Sequence, residues 1–385
     1  CLLSRGLGDV YKRQLHNRAK FFKGMSMSLT NDYFTQLQKK EQTLRNLLTP
    51  FTTITPQVYE SPPQHFRMRS EFRIWHEQDK LHYTMFAADK KPIFLSQFDQ
   101  VSEDINRLMR ELGLLFLHYD EIRKRLFQVN FLTTRLHEAL ITLCYHRALD
   151  ENWLTQAKII ANKLDCKLIG RAKGQKWLTD DDCIRERFQV AGINYDYLQP
   201  EDVFTQPNAF INQRMLKWIS AHLALIGGDL LELYCGIGNF TLPASRQVKQ
   251  VFATEISSRS IKALQDNLAL NQINNVRFAR LSAEEMTQAL TGARSFRRLQ
   301  GVDLSHYDFQ TILLDPPRAG LDNATCYLAT KFKHILYISC NPYSLITNLN
   351  YLSKTHEILK IALFDQFPFT PHIESGMWLK KRFEH

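Results

Sequence analysis

One cysteine stands where catalytic groups often lie in α/β proteins. Residues 334–338 are typical of a buried strand, and Cys340 follows them closely, just ahead of an Asn-Pro pair. Open α/β sheets bind ligands beyond the carboxyl ends of their strands, and Asn-Pro is a turn signal. A thiolate held there could attack an electrophilic carbon and form a covalent intermediate. The alternative is a small apolar side chain in the core, a common role for cysteine.

A glycine turn marks a second candidate site. Residues 230–234 read as a strand, and Gly236 and Gly238 follow them at the start of a predicted helix. Glycine lets the backbone approach a ligand closely, and a helix N-terminus offers free N–H groups. Thr241 replaces the third glycine of the dinucleotide-binding fingerprint, so the spacing alone is weak evidence. The pattern predicts a cofactor loop without identifying the cofactor.

Acidic residues end two further strands. Glu255 closes the predicted strand 251–255, where a carboxylate can accept hydrogen bonds from two ribose hydroxyls. Both NAD and S-adenosylmethionine present such a ribose, and a solvated loop acid is the alternative. Asp315 follows the strand 311–314 and precedes two prolines and Arg318. The prolines make a stiff rim against which a flat ring can be held.

Two kinds of sheet must hold these loops. From residue 229 onward strands alternate with helices, which predicts a Rossmann-like α/β domain with a parallel, doubly wound sheet. Residues 68–87 read as two alternating strands, which predicts a smaller α+β domain with an antiparallel sheet. We expect the α+β domain over residues 25–200 and the α/β domain over residues 201–385. The other predicted elements are strands at 126–132, 167–170, 276–279 and 335–339, and helices at 154–164, 211–226, from the glycine turn to about 247, and 259–270.

The first 24 residues differ from the rest in composition. They carry six Lys and Arg against one acidic residue, lack an initiating Met and show no signal-peptide core. We expect a non-native leader over residues 1–24, with the natural start at Met25 or Met27. The formal charge of +10 then divides as +5 in the leader, 0 over residues 25–205 and +5 over residues 206–385. Net charge alone therefore does not predict a nucleic-acid partner.

The cysteine spacing argues against metal and disulfide frameworks. None of the seven cysteines forms a C-x-x-C pair, as a zinc ribbon or an iron–sulfur cluster would require. The chain has no run of about 18 uncharged apolar residues, so a membrane span is not expected. We expect a cytoplasmic protein without a metal, and the sequence indicates no obligate protein partner.

Several segments together resemble a known family, the S-adenosylmethionine-dependent RNA uracil-5-methyltransferases, and within it the members that act on tRNA. The resemblance rests on residues 232–240, 315–318, 339–342 and 372–376, and extends to residues 67–75, 126–128 and 205–208. It covers nearly everything from about Asn31 onward. Relatives that modify ribosomal RNA are similar but carry an iron–sulfur cysteine cluster, which this sequence lacks.

The resemblance implies a reaction and a set of roles. A methyl group would pass from S-adenosylmethionine to carbon 5 of a uridine in the T loop of tRNA, or of a T-arm-like RNA such as tmRNA. Cys340 would add to carbon 6 of the base, and Glu374 would then remove the carbon 5 proton. From the sequence alone, Glu374 could equally be a surface acid before a glycine turn. The implied cofactor contacts are Gln206, Tyr234, Asn239, Glu255 and Asp315.

RNA contacts are expected in the first domain. A base within a folded T loop is stacked, so the enzyme must extrude it. Arg67, Arg69 and Arg73 alternate on one side of a strand, and Phe127 lies next to a basic run, a combination that suits phosphate contact and base stacking. Arg318 is placed to contact the extruded nucleotide. A solvated sheet face with Phe127 in the core is the alternative.

Two other functions fit parts of the pattern. Asp-Pro-Pro loops also occur in adenine amino-methyltransferases, which need no cysteine nucleophile and usually have an aromatic residue where this chain has Arg318. Mapping the methylated atom discriminates these enzymes. A protein that only binds or folds RNA would keep its activity when Cys340 is lost.

Overall fold

In the computed structural model of the chain, residues 27–77, 80–86 and 91–382 are described; the expected leader and Met25 lie outside them. The strands are β1 (Gln57–Tyr59), β2 (Arg69–Glu77), β3 (Lys80–Phe86), β4 (Pro92–Leu95), β5 (Leu126–Thr133), β6 (Ala139–Tyr145), β7 (Lys167–Ala172), β8 (Gln175–Leu178), β9 (Cys183–Val190), β10 (Ile193–Pro200), β11 (Asp229–Leu233), β12 (Val251–Thr254), β13 (Val276–Ala279), β14 (Phe309–Leu314), β15 (His334–Ser339), β16 (His356–Phe364) and β17 (Glu374–Lys381). The α-helices are α1 (Met27–Leu48), α2 (Glu103–Leu115), α3 (Asp120–Arg123), α4 (Glu151–Leu164), α5 (Ala209–Ile226), α6 (Thr241–Ala244), α7 (Ser258–Leu270), α8 (Ala283–Leu290), α9 (Asn323–Ala329) and α10 (Pro342–Leu352). Two short 3₁₀ helices lie at Arg297–Leu299 and Leu304–His306.

The larger sheet has eight strands in the order β1-β16-β17-β15-β14-β11-β12-β13. Strands β13, β12, β11, β14 and β15 pair in parallel, whereas β17 runs antiparallel to both β15 and β16. The strand order reverses between β11 and β14, which is the position where doubly wound sheets bind ligands. The prediction of a Rossmann-like α/β domain is confirmed.

Both faces of this sheet are buried. Along β11, Leu231 and Leu233 belong to one apolar cluster, and Leu230 belongs to another on the opposite face. All three side chains are fully buried. Burial on both sides is typical of parallel sheets covered by helices, and it leaves only the strand ends to carry chemistry.

The smaller sheet has seven strands in the order β4-β3-β2-β5-β6-β7-β8. It is antiparallel except at the β6–β7 pair, in agreement with the predicted α+β architecture. On one face, Phe72 and Phe131 pack in a core with Ile105 of α2 and Trp153 of α4. The other face is only partly covered, by the β9–β10 hairpin, whose Ile184 joins a small cluster there.

The N-terminal helix packs on the larger sheet. Tyr33, Leu37 and Leu44 of α1 lie in the same apolar cluster as Ile335 of β15. Strand β1 pairs in parallel with β16. This segment lies within the range expected for the α+β domain, residues 25–200, but it packs on the larger sheet. The long-range pairing of β1 is not visible in local sequence patterns.

Two local features differ from the sequence expectations. The helix predicted to reach about residue 247 is limited to α6, and turns follow it. Pro243 lies inside this short helix and cannot donate a backbone hydrogen bond. Strands β16 and β17, which lie on one side of the larger sheet, were not predicted from the sequence. Among the described helices, none combines the length and the apolar character needed to cross a bilayer.

Candidate active site

A cavity of about 850 Å³ lies at the carboxyl ends of the central parallel strands. It brings together eight of the ten residues singled out from the sequence. These are Gln206, Tyr234, Asn239, Glu255, Asp315, Arg318, Cys340 and Glu374. The residues come from loops far apart in the chain, so the sheet is what assembles them.

The glycine turn after β11 is shaped to approach a ligand. Tyr234 and Gly238 both have positive φ, at 62° and 90°. A Cβ atom on Gly238 would lie 2.6 Å from Leu264 Cδ1 and 2.7 Å from Leu242 Cδ1, which is closer than packed atoms approach. Any larger residue at 238 would therefore distort the loop.

Glu255 is held by the backbone of this loop. Its carboxylate accepts hydrogen bonds from the Gly236 N–H at 3.2 Å and from the Ser257 N–H at 2.8 Å. These bonds fix the carboxylate at the cavity wall between β12 and α7. The remaining acceptor positions of Glu255 suit a diol such as a ribose.

Two pairs of side-chain amides orient Gln206 and Asn239, which are two of the other predicted cofactor residues. Gln366 donates to Gln206 Oε1 at 2.7 Å, so the Gln206 carbonyl is fixed by a residue of the loop between β16 and β17. Asn239 and Asn212 exchange two side-chain hydrogen bonds of 2.9 and 2.8 Å. The Asn239 side chain therefore ties the cofactor turn to α5.

Cys340 and Glu374 lie at the ends of neighbouring strands. Strands β15 and β17 are antiparallel, with Ser339 paired to Ser375. Cys340 directly follows Ser339, and Glu374 directly precedes Ser375 as the first residue of β17. Both side chains line the cavity. The predicted nucleophile and the predicted base therefore share one end of the cavity.

The acidic groups of the site are protonated more readily than usual. Burial raises the pKa of the Cys340 thiol to about 11, and the charges of Glu374 and Asp315 add to the effect. Burial also raises the pKa of Asp315 to about 7. The Glu374 pKa lies well above its ordinary value, because of burial first and the Asp315 charge second. A bound cation would reverse these shifts and favour the charged forms.

A helix N-terminus and an arginine both act to lower the pKa of the Cys340 thiol. Cys340 immediately precedes α10, whose first turn begins with Asn341 as the N-cap and Pro342 as the first helical residue. A helix N-terminus favours a nearby thiolate. Arg318 also lowers the Cys340 pKa, and it donates to the Nδ1 atom of His372 at 3.4 Å. His372 lines the cavity and was not singled out from the sequence, although it lies within the motif 372–376.

A buried ion pair supports the loop that precedes Glu374. Lys40 of α1 donates to Asp365 at 2.7 Å and to the Phe367 carbonyl at 2.7 Å. Both charged side chains are almost fully buried. Gln36, one turn before Lys40, donates to the Thr370 carbonyl at 2.7 Å. Sequence reasoning missed this contact, because α1 and the loop are more than 300 residues apart.

The remaining two predicted residues, Arg73 and Phe127, lie in a separate groove on the smaller sheet. The Phe127 ring stacks on His146 with centroids 3.9 Å apart, and the Arg73 guanidinium carbon is 5.7 Å from the Phe127 centroid. Arg69 differs from Arg73, because it donates to the carbonyls of Glu201 and Val203. Arg69 therefore holds the chain segment that joins the two sheets of the protein.

Neither Cys235 nor a metal site offers an alternative centre for the chemistry among the described residues. Cys235 is buried with a pKa well above the ordinary value, chiefly because of burial, which fits a packing role. Within residues 27–77, 80–86 and 91–382, no group of three or more His, Cys, Asp or Glu side chains is arranged to hold a metal ion.

The sequence family that matches this chain and the relatives that resemble it carry the same description. The sequence family described as tRNA (Uracil-5-)-methyltransferase matches residues 32–382. A tRNA/tmRNA (uracil-C(5))-methyltransferase of Pseudomonas putida (strain W619) is 50% identical over 352 residues, covering 91% of this chain and 98% of the relative. The protein of the same name from Pseudomonas fluorescens (strain SBW25) is 49% identical with the same coverage.

A solved structure supports the fold. The Pyrococcus abyssi tRNA (uracil-54, C5)-methyltransferase in complex with S-adenosyl-L-homocysteine superposes with a TM-score of 0.69. The match covers 90% of this chain and 83% of that chain at 20% identity. At this identity the likeness concerns the architecture of the two sheets.

Proposed function

The chain belongs to the tRNA (uracil-5-)-methyltransferase family, and we propose that it transfers a methyl group from S-adenosylmethionine to carbon 5 of a T-loop uridine in tRNA, and in tmRNA. The observation that carries this proposal is that Cys340 and Glu374 line the same cavity as the cofactor loop, each one residue beyond the paired Ser339 and Ser375. The printed names of the Pseudomonas relatives support tRNA and tmRNA as substrates, and the name of the Pyrococcus enzyme supports uracil 54.

The cavity suits the proposed cofactor. Glu255 offers a fixed carboxylate for a ribose, and the glycine turn offers a close backbone approach. Burial raises the pKa of Asp315 and of Glu374, and a positively charged ligand between them would lower both pKa values again. S-adenosylmethionine supplies an electrophilic methyl group on such a positive sulfur.

The proposed reaction uses the nucleophile and the base in turn. The Cys340 thiolate adds to carbon 6 of uracil, and the electrons of the 5,6 double bond move toward carbon 5 and the carbonyl. Carbon 5 becomes nucleophilic enough to take the methyl group, and the sulfonium that gives it up would lose its sulfur–methyl bond and leave as the neutral thioether S-adenosylhomocysteine. Glu374 then removes the proton from carbon 5, the 5,6 double bond re-forms and the thiolate leaves. The proposed nucleophile directly follows β15, and the proposed base begins the neighbouring strand β17.

RNA binding is proposed to involve both sheets. Arg318 lies at the rim of the catalytic cavity, where it can contact the extruded nucleotide. Arg73 and Phe127 lie in the groove of the smaller sheet, where an arginine beside an aromatic ring suits RNA. The smaller sheet would hold the loop that the larger sheet modifies.

The test uses an unmodified tRNA transcript and methyl-labelled S-adenosylmethionine. We expect label in 5-methyluridine at a single T-loop position. Glu374→Gln should accumulate a covalent protein–RNA complex on denaturing gels, because the carbon 5 proton cannot be removed. Cys340→Ala should form no such complex while binding the cofactor normally.

Cys166→Ala provides the matched control, since Cys166 is half-buried and also has a raised pKa but lies in the smaller domain. It should retain methylation and adduct formation. Label on an exocyclic nitrogen of adenine, or full methylation by Cys340→Ala, would overturn the proposed function.

A further inference from the structure

The open face of the smaller sheet carries a row of exposed aromatic rings. Strand β2 alternates between buried Phe72 and Ile74 on the inner face and exposed Arg73 and Trp75 on the outer face. Cross-strand pairing sets His82 opposite Trp75, and Thr84 opposite both Arg73 and, on the other side, Phe94. Trp75 and Phe94 are each 46% exposed, and Phe86 is 52% exposed. We call Trp75, Phe86 and Phe94 the outer aromatic row.

These rings form one wall of the groove that contains Arg73. The groove has a volume of about 250 Å³, with Trp75 and Phe86 among its lining residues and the stacked Phe127 and His146 rings also lining it. The Phe94 ring extends the outer side, because it stacks on His82 with centroids 4.8 Å apart. Exposing this much aromatic surface to water is unfavourable, and a cluster of this kind usually marks a binding surface.

The groove is connected to the catalytic cavity by a single strand. At the start of β2, Arg69 donates to the Glu201 and Val203 carbonyls, and Val203 also lines the catalytic cavity. Trp75 lies six residues further along the same strand. At a rise of about 3.4 Å per residue, the two ends of this segment are about 20 Å apart. A single RNA segment can therefore reach both places.

The chemistry of the groove favours a nucleobase as the occupant. Flat rings on both sides offer stacking surfaces, and the Arg73 guanidinium supplies positive charge between them. Lys124 and Arg125 directly precede strand β5, which carries Phe127, and both are exposed, although the Lys124 ammonium lies 3.8 Å from the Glu121 carboxylate.

We propose that the outer aromatic row binds a second unpaired nucleobase of the RNA substrate, about 20 Å along β2 from the junction with the catalytic cavity. This inference rests on the proposed function and adds a binding site to it. The bound base lies against Trp75 in the groove, and Phe94 and Phe86 flank it. The site holds the opened loop by stacking and is tolerant of sequence, because every base has a flat face.

The experiment measures the dissociation constant of an unmodified tRNA transcript by filter binding at several salt concentrations. Trp75→Ala should weaken binding about tenfold, and Trp75→Phe should restore most of the affinity because it keeps a stacking ring. Trp75→Leu should bind like Trp75→Ala, since an aliphatic chain of similar apolarity cannot stack. The slope of affinity against salt should stay unchanged in all three variants, because no phosphate contact is lost.

Tyr327→Ala is the matched control, because Tyr327 is also 46% exposed but lies on α9 of the larger domain. It should bind the transcript like the wild type. RNA should also quench the wild-type tryptophan fluorescence by an increment that Trp75→Phe lacks.

Two outcomes separate this inference from the function. Affinity within twofold of the wild type in Trp75→Ala, together with normal Cys340-dependent methylation, overturns the second base site and leaves the function intact. That result would also be expected if the aromatic row bound a protein. Failure of the wild type to methylate the transcript overturns the function itself.

Discussion

The two sheets of this protein use their strands in opposite ways. The larger sheet buries both faces, as in the alternating side chains of β11, and carries reactive groups only where strands end. The smaller sheet buries one face and presents Arg73 and Trp75 on the other, in the middle of a strand. The first arrangement excludes water around a few fixed groups, and the second offers a broad surface to a large ligand. Substitutions in the two sheets should therefore affect different steps.

The largest effect is expected at the end of β15. Cys340→Ala should lower methylation by about 10⁴-fold or more, since the covalent route is lost completely. RNA affinity should change less than threefold, because the smaller sheet is intact. Single-turnover methylation and filter binding on the same preparation measure the two quantities. A comparable loss of RNA affinity would contradict the division between the sheets.

The next largest effect concerns the ion pair between α1 and the loop before Glu374. Lys40→Met leaves the Asp365 carboxylate buried without its partner, and we expect a loss of about 3–5 kcal/mol in the free energy of unfolding. The change should also lower the methylation rate, because the loop holds Gln366 and leads to Glu374. Urea unfolding and steady-state kinetics provide the measurements.

The double variant Lys40→Met/Asp365→Leu is the control for an unpaired charge. It should recover most of the stability, since no buried carboxylate remains. If Lys40→Met instead weakened RNA binding and left the methylation rate unchanged, α1 would serve the smaller sheet, contrary to its packing.

A smaller effect is expected from the aromatic stack of the smaller sheet. Phe127→Ala removes the ring that stacks on His146 and lies beside Arg73. We expect RNA to bind about tenfold more weakly, with the KM for S-adenosylmethionine unchanged. Kinetics with each substrate varied in turn would measure this. An altered cofactor KM with normal RNA affinity would refute the assignment of Phe127.

The smallest effect is a pH dependence of stability at Asp315. The folded-state pKa of about 7 exceeds the usual value of 3.8, so the folded protein binds this proton more tightly than the unfolded chain. The resulting stabilisation is complete below about pH 3.8 and is lost as the pH rises toward 7. Asp315→Asn avoids this loss. Because Asp315 is partly exposed, we expect the variant to melt only a few degrees above the wild type at pH 8.

At pH 4.5 the difference in melting temperature should be close to zero, and thermal scans across this range would test the sign. Cofactor binding by Asp315→Asn should be weakened at every pH. A variant that is less stable than the wild type at pH 8 would show that Asp315 has a stabilising partner in the free protein.

The sequence predicted the strand-end groups well for a physical reason. Buried parallel strands are continuous apolar runs, so the positions of Glu255, Asp315 and Cys340 directly after such runs are visible without a structure. Their convergence follows from the rule that parallel strands share a carboxyl edge. The assignment of Glu374 needed the family resemblance, because its position depends on the register of β17.

Other features could not be predicted from local patterns. The pairing of β1 with β16 and the contact of Lys40 with Asp365 join segments that are far apart along the chain. Arg69 and Arg73 have the same residue type and lie on the same strand face, yet Arg69 donates to backbone carbonyls whereas Arg73 lies beside the Phe127 ring. The difference arises because the chain segment 201–203 covers one end of β2.

The antiparallel pairing of β15 and β17 has a consequence for how this active site can change over evolutionary time. Cys340 and Glu374 are adjacent in the chain to Ser339 and Ser375, which pair across the two strands, so the connecting segments can lengthen or shorten without moving either group. A single inserted residue within β17 would instead turn the carboxylate to the opposite side of the sheet. Homologous enzymes should therefore vary in their connecting segments and keep the residue count of this strand.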